Sequence, residues 1–338
     1  TDQTIREEEK KMLLTEKRDY KLYVDIRQGE GEEESPRNLT ELSFSNLELL
    51  HEIVMSSLPQ QRLPGDDCQK RRYELAYRIY LLEMALEVQK DTLKKSGRIA
   101  HLDSSEKSLI HYYLGTALTK MIARRLFQTD YLTHLSAIRQ ADGRYLNSPG
   151  SNRNDMIGAK LTENGYRVWS VKGRSQNSRN AMKIGCREVC DFQAISGGKP
   201  EIQAVCMTYY DGGYLNAAVQ IPGKSYLEKS RQVSVDFERK SYLRAYYQCV
   251  CQLFSKEGER QNYRRDKKFY EDGIVTEIPL FSGGEAEKNR VLRVGISRKL
   301  LSCVRDGENG LEDCIQQLCW QETLDREQYM GGDGIYIC

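Results

Sequence analysis

Two short segments carry residue types at a spacing that could do chemistry: Arg153-Asn154-Asp155-Met156-Ile157-Gly158 and Tyr166-Arg167-Val168-Trp169-Ser170-Val171-Lys172-Gly173-Arg174-Ser175. Asp155 stands near the start of one expected strand, and Lys172 follows 17 residues later at the end of the next. Side chains alternate along a strand, so Ser170 and Lys172 point to one face. A turn between the strands would set Asp155 beside them, gathering a carboxylate, a hydroxyl and an ammonium. Downstream, Lys172, Arg174, Asn177, Arg179 and Lys183 concentrate positive charge and amides after the strand, and Gly150-Ser151-Asn152-Arg153 adds a similar loop beside Asp155. Cations and exposed N–H groups of this kind can cradle phosphate. An ordinary polar loop has the same composition, and both readings stay open.

These residues resemble the active-site core of the PD-(D/E)xK nuclease superfamily, the restriction-endonuclease-like fold, in which an acid is followed by a hairpin and then Glu/Asp-x-Lys. Asp155 matches the first acid, with Asn154 where the family often has Pro, and Lys172 matches the lysine. Ser170 stands at the position of the second acid. Other features are similar to a group of bacterial proteins with this domain. They are Tyr112-Tyr113-Leu114-Gly115 on the preceding helix, Lys183 on the following one, the turn Gly197-Gly198-Lys199-Pro200, and the hairpin around Tyr209-Tyr210-Asp211-Gly212. The likeness spans roughly Ser105 to Pro222, about a third of the chain.

The resemblance implies an α/β fold: a restriction-endonuclease-like mixed sheet flanked by helices, preceded by an N-terminal helical region. It implies Mg²⁺ held by carboxylates, Asp155 first among them, with Lys172 stabilising developing charge beside a scissile phosphate. It implies a nucleic-acid partner, DNA first, met by Arg153, Arg174, Arg179 and Lys183, in the cytoplasm of a bacterial-type cell. Ser170 is neutral and attracts Mg²⁺ far less than a carboxylate would. Three outcomes stay open. The acid has migrated to the following helix, where Glu188 and Asp191 are available and Lys183, Arg187 and Glu188 could share the sheet-facing side, with Glu163 a weaker candidate. Or the site is a metal-free pseudo-site. Or the motif is accidental. The expected function is a nuclease-related nucleic-acid-binding protein with a degenerate phosphodiesterase site, a pseudoenzyme. The alternative is a non-catalytic interaction or scaffold subunit with a protein partner.

The elements that must position these residues follow from hydrophobic periodicity. Residues 69–95 read as one amphipathic helix with Tyr73, Ala76, Tyr77, Tyr80, Met84 and Val88 on its packed face. Residues 104–127 read as a second helix, with Asp103 and Glu106 forming a capping box. Strands are expected over 166–171, 201–210 and 214–221, the last two joined by the turn Asp211-Gly212-Gly213. Helices are expected over 178–192, 236–254 and 314–320, and strands over 274–281 and 290–296. Tyr20 to Ile26 reads as an edge strand or docked arm between acidic runs at Glu7-Glu8-Glu9 and Glu30 to Glu34. Four segments result: a charged arm over 1–68, a helical region over 69–148, the restriction-endonuclease-like core over 149–256, and an extension over 257–338.

Composition limits what else the chain can be. With 51 Lys+Arg against 49 Asp+Glu and a net charge of +2, it is not a globally basic nucleic-acid binder, although a local basic groove is allowed. No run approaches the ~20 apolar residues of a membrane span, and the first residues lack a signal-peptide pattern. The 10 Cys lack paired C-x2-C spacing and there are only 4 His, so the thiols read as small core residues in a reducing compartment. Arg260 to Tyr270 interleaves basic and aromatic residues, but its acids make a solvated face the preferred reading. Ser282-Gly283-Gly284 and Met330-Gly331-Gly332-Asp333-Gly334 fit no phosphate-loop template and read as turns.

Overall fold

The computed structural model describes residues 14, 18–29, 38–56, 68–142, 155–160, 163, 165–228, 231–254, 264–265, 273–280, 290–306, 310–318, 323–325 and 328–338. In chain order the first half contains β1 (Asp19–Gly29), β2 (Asn38–Ser45), α1 (Asn46–Met55), α2 (Cys68–Ala85), β3 (Leu86–Gln89), β4 (Thr92–Lys95), α3 (Ser104–Phe127), β5 (Thr133–His134), α4 (Leu135–Asp142) and β6 (Asp155–Gly158). Then come β7 (Arg167–Gly173), α5 (Arg179–Cys190), β8 (Phe192–Ile195), β9 (Ile202–Asp211), β10 (Tyr214–Pro222), α6 (Lys224–Leu227), β11 (Val233–Val235) and α7 (Arg239–Cys251). The remainder holds β12 (Arg264–Arg265), β13 (Gly273–Leu280), β14 (Arg290–Ser297), α8 (Arg298–Asp306), α9 (Leu311–Leu318), β15 (Thr323–Asp325), β16 (Gln328–Met330) and β17 (Tyr336–Ile337).

The fold is mixed α/β: a large mixed sheet with helices on both faces. Its strand order is β2-β1-β4-β10-β9-β7-β6-β5, with β3 paired to β4. The strands β5, β6 and β7 form an antiparallel run, and β9 then returns parallel to β7 through a crossover that contains α5. α3 packs on one face of β7 and β9, and α5 on the other. A smaller sheet, β12-β13-β14-β17-β16-β15, closes the C-terminal part, and β8 pairs with β11.

α3 forms where its sequence signals place it. Asp103 accepts from the N–H groups of Ser105 and Glu106, Glu106 accepts from the Asp103 N–H, and both halves of the capping box are present. Ile110, Leu114, Ala117, Leu118, Met121 and Ile122 form its buried stripe. The hairpin β9–β10 turns through Gly212 and Gly213 at φ 57° and 87°, a conformation that glycine adopts without strain.

Two expectations are overturned. The helix expected over 69–95 ends at Ala85, and the rest is the hairpin β3–β4, which turns at Lys90 and Asp91 with φ 49° and 58°. Val88 and Leu93 lie opposite each other in this hairpin, so sheet pairing overrides the helical periodicity. The face of α2 is also different. Leu75, Ile79 and Leu82 are buried, while Tyr73 and Tyr77 are exposed. The second correction concerns residues 20–26. They lie inside β1, which is no edge: it pairs parallel with β10 and antiparallel with β2. Among the described residues no helix is long and apolar enough to cross a membrane.

α1, which has no counterpart among the expected elements, is buried along its whole length and carries Glu48, His51 and Glu52 inside. Each charge is answered. Arg124 and Arg125 of α3 reach Glu48 at 2.8 and 3.0 Å, and Arg124 also reaches Glu52 at 3.1 Å. His51 Nε2 lies 3.1 Å from Asp333 Oδ1, and Tyr246 donates to Asp333 Oδ2 at 2.6 Å. The turn read from Gly331-Gly332-Asp333-Gly334 is therefore an ionic anchor between the C-terminal sheet and α1. Burial opposes charge on His51, but Asp333 and Glu52 raise its pKa to about 9. Burial likewise opposes the Asp333 charge, and His51 and Tyr246 bring it down to about 2. The His51 contribution to stability is therefore full below its ordinary value of 6.5 and is lost as pH rises through about 9. That of Asp333 is present above 3.8 and is lost as pH falls through about 2. His51→Gln should cost about 3–5 kcal/mol in urea unfolding at pH 6, because it leaves a buried carboxylate uncompensated. The gap to wild type should narrow as pH rises through 9; a constant gap would refute the charged pair.

Candidate active site

β6 and β7 pair antiparallel with Asp155 opposite Ser170. Residues directly opposite in such a pair share a face, at about 4.5–5.5 Å between Cα atoms. Ser170 and Lys172 are two apart on β7, so Asp155, Ser170 and Lys172 all stand on the side covered by α5. Asp155 and Ser170 are almost completely buried.

α5 starts at Ser178, whose hydroxyl accepts from the Ala181 N–H at 3.2 Å. Ala181, Gly185, Cys186, Val189 and Cys190 form its buried face. Glu188 sits at the margin of that face and reaches back over β7. Its Oε2 accepts from the Ser170 hydroxyl at 2.8 Å and from Lys172 Nζ at 2.5 Å. A carboxylate from the helix thus stands over β7, held by the serine and the lysine of that strand.

Two glycines allow this approach. At Gly185 a Cβ would lie 2.5 Å from Val205 Cγ1 and 3.2 Å from Lys172 Cε, so any larger residue would force Val205 or the helix to shift. On the opposite face a Cβ at Gly173 would overlap the His111 carbonyl oxygen, and one at Gly115 would lie 3.3 Å from Gly173 Cα. The Tyr112-Tyr113-Leu114-Gly115 segment therefore contributes a close helix–strand contact beneath Lys172.

Of the other candidates, Arg174 and Arg179 are exposed near the end of β7 and the start of α5, and Lys183 is half-buried. Arg153 lies outside the described residues, as do most of the basic and aromatic stretch over 260–270, the acidic runs at 7–9 and 30–34, and Ser282-Gly283-Gly284. Arg187 does not share the sheet-facing side; it points to solvent. Asp191 ends α5, where its Oδ1 accepts from the Arg231 N–H at 2.7 Å. Glu163 pairs with Lys160 and Arg167 at 2.9 Å each, at the far end of the hairpin from Lys172. His134 is buried on the α3 side, where burial, together with Lys120 and Arg78, lowers its pKa to about 3 and keeps it neutral. Burial raises the thiols of Cys186, Cys206 and Cys251 to about 12, so they are packing groups rather than nucleophiles.

The donor set suits a hard divalent cation. Mg²⁺ is commonly held by one or two carboxylates, water and substrate phosphate, and Asp155, opposite Ser170, and Glu188, to which Ser170 donates, are two carboxylates beside one serine. Among the described residues no three of His, Cys, Asp or Glu gather as a metal-holding group. Comparison with known proteins finds no matching family, no matching curated protein and no matching solved structure.

Glu188→Ala strips the acceptor from a fully buried hydroxyl and a largely buried ammonium, and should cost about 1–3 kcal/mol in urea unfolding. Ser170→Ala combined with Glu188→Ala should cost little more than Glu188→Ala alone, since both remove one bond. Additive costs would show that the Ser170–Glu188 hydrogen bond does not form.

Proposed function

We propose that this chain is a nuclease-related, nucleic-acid-binding protein of restriction-endonuclease-like fold. In this reading Asp155 and Glu188 are its metal-holding carboxylates and Lys172 its active-site ammonium. The observation that carries the proposal is Glu188 Oε2, which both Ser170 and Lys172 grip at the strand position where the superfamily places its second acid. The fold part is supported by the acid-bearing strand, hairpin and lysine-bearing strand in that order, in a mixed sheet flanked by helices. Migration of the acid to α5 accounts for a serine, rather than a second carboxylate, at Ser170.

A divalent ion between the carboxylates would polarise a phosphoryl oxygen and make bound water a stronger nucleophile at neutral pH. The protein's own part is electrostatic and geometric. Asp155 is held in the buried strand pair, Glu188 is oriented by Ser170, and Lys172 offers its ammonium to charge that develops on the phosphate. Arg174, just after β7, and Arg179 and Lys183 on α5 would offer cations to backbone phosphates. One observation favours the second reading, a non-catalytic scaffold: Asp155 is almost completely buried and Lys172 is already engaged by Glu188. Substrate entry would have to loosen that ion pair.

The test is Mg²⁺- and Mn²⁺-dependent cleavage of single- and double-stranded DNA and RNA. Asp155→Ala, Lys172→Ala and Glu188→Ala should each lower cleavage by a hundredfold or more, while Ser170→Glu combined with Glu188→Ala, which returns the acid to the strand, should recover part of it. Absence of cleavage with every metal and substrate would remove the phosphodiesterase reading and leave the scaffold.

A further inference from the structure

We infer that Lys172 is a latch on Glu188: its ammonium competes with the divalent cation for that carboxylate, and the site opens when the two exchange. This rests on the reading above and adds the regulation of the same site. Lys172 and Glu188 are ion-pair partners, and among the described residues neither has a second one. Ser170 adds a hydroxyl and no charge, so the pair stays neutral. A carboxylate in place of Ser170 would leave an excess negative charge to draw a cation in; the serine removes that pull. Ammonium and divalent ion repel strongly where little water screens them, so the cation must displace Lys172 rather than join it.

The geometry allows that exchange without moving the sheet. Glu188 Oε2 takes both bonds, from Ser170 at 2.8 Å and from Lys172 at 2.5 Å. Among the described residues Oε1 accepts none, and it is open to solvent, so it is the oxygen an arriving cation meets first. The Glu188 side chain is 21% exposed and that of Lys172 11%, which puts the pair at the margin of the α5 contact rather than in the core. Ser170 is fully buried and keeps its bond to Oε2, so Glu188 has a fixed pivot when the ammonium leaves. Lys172 is the penultimate residue of β7, with exposed Arg174 just beyond, and its four-carbon stem is flexible. Turned toward that end of the strand, the ammonium is available to a phosphate. Cation and phosphate therefore favour the same open form, and each tightens the binding of the other.

The experiment is Mn²⁺ binding to the full chain, followed by the electron paramagnetic resonance signal of the free ion. It compares wild type, Lys172→Met, Glu188→Gln and the double variant, each checked for native folding by circular dichroism. Lys172→Met should tighten Mn²⁺ binding about tenfold, within the range usual for coupled sites. The same substitution should yield no gain in the Glu188→Gln background, where the latch has lost its carboxylate. A second measurement needs no substitution. Mg²⁺ should raise the labelling of Lys172 by a lysine-reactive reagent severalfold, read by peptide mass spectrometry, as the ammonium leaves Glu188. Unchanged or weaker Mn²⁺ binding in folded Lys172→Met, an equal gain in both backgrounds, or Lys172 labelling that ignores Mg²⁺ would each overturn the inference. The latch and the phosphodiesterase fail separately. Mn²⁺ binding that is indifferent to Lys172 sinks the latch and leaves the metal-holding carboxylates. Lys172-controlled binding without cleavage of any substrate keeps the latch and sinks the phosphodiesterase. No Mn²⁺ binding by any of the four proteins sinks both.

Discussion

Strand β7 can hold the site because two helices come unusually close to it, one on each face. On the α3 side, Gly115 and Gly173 remove the side chains that would keep helix and strand apart. On the α5 side, Gly185 does the same, and Glu188, one turn further along, reaches Ser170 and Lys172. Interiors are close-packed, so an added Cβ meets backbone at Gly173 and the Val205 side chain at Gly185, and something must shift to admit it. The Ser170–Glu188–Lys172 cluster therefore depends on close contacts at residues that have no functional group of their own.

The second constraint is electrical. α1 is buried while carrying three ionisable side chains, and such a helix is tolerable only if every charge is matched. Arg124 and Arg125 match Glu48 and Glu52 from α3, and Asp333 matches His51 from the C-terminal sheet. One apolar core runs from Leu14 to Ile337, so the arm, the central sheet and the C-terminal strands share it. α3 links the two constraints. The middle of the helix carries the Gly115 contact beneath Lys172, and its last turn supplies the arginines that neutralise α1. A change that tilts α3 would be felt at both.

β1 and β2 widen the central sheet beyond β10, and Tyr23 of β1 stays exposed.

Local patterns determined much of this protein. The capping box of Asp103 and Glu106, the stripe of α3, the Asp211-Gly212-Gly213 turn, and the placement of Asp155 and Lys172 on neighbouring strands depend on signals within a few residues. Those signals act the same way in any surroundings. Where neighbours in space decide the outcome, the chain alone was ambiguous or misleading. Residues 86–95 have helical periodicity but are drawn into the sheet by open strand partners, and Tyr20 to Ile26 becomes interior because β10 offers a parallel edge. Glu188 was one of several acids on a helix. Only the approach permitted by Gly185 and the hydrogen bond from Ser170 single it out, because a carboxylate's role is set by what lies within about 3 Å of it, and that distance is a property of the packed chain.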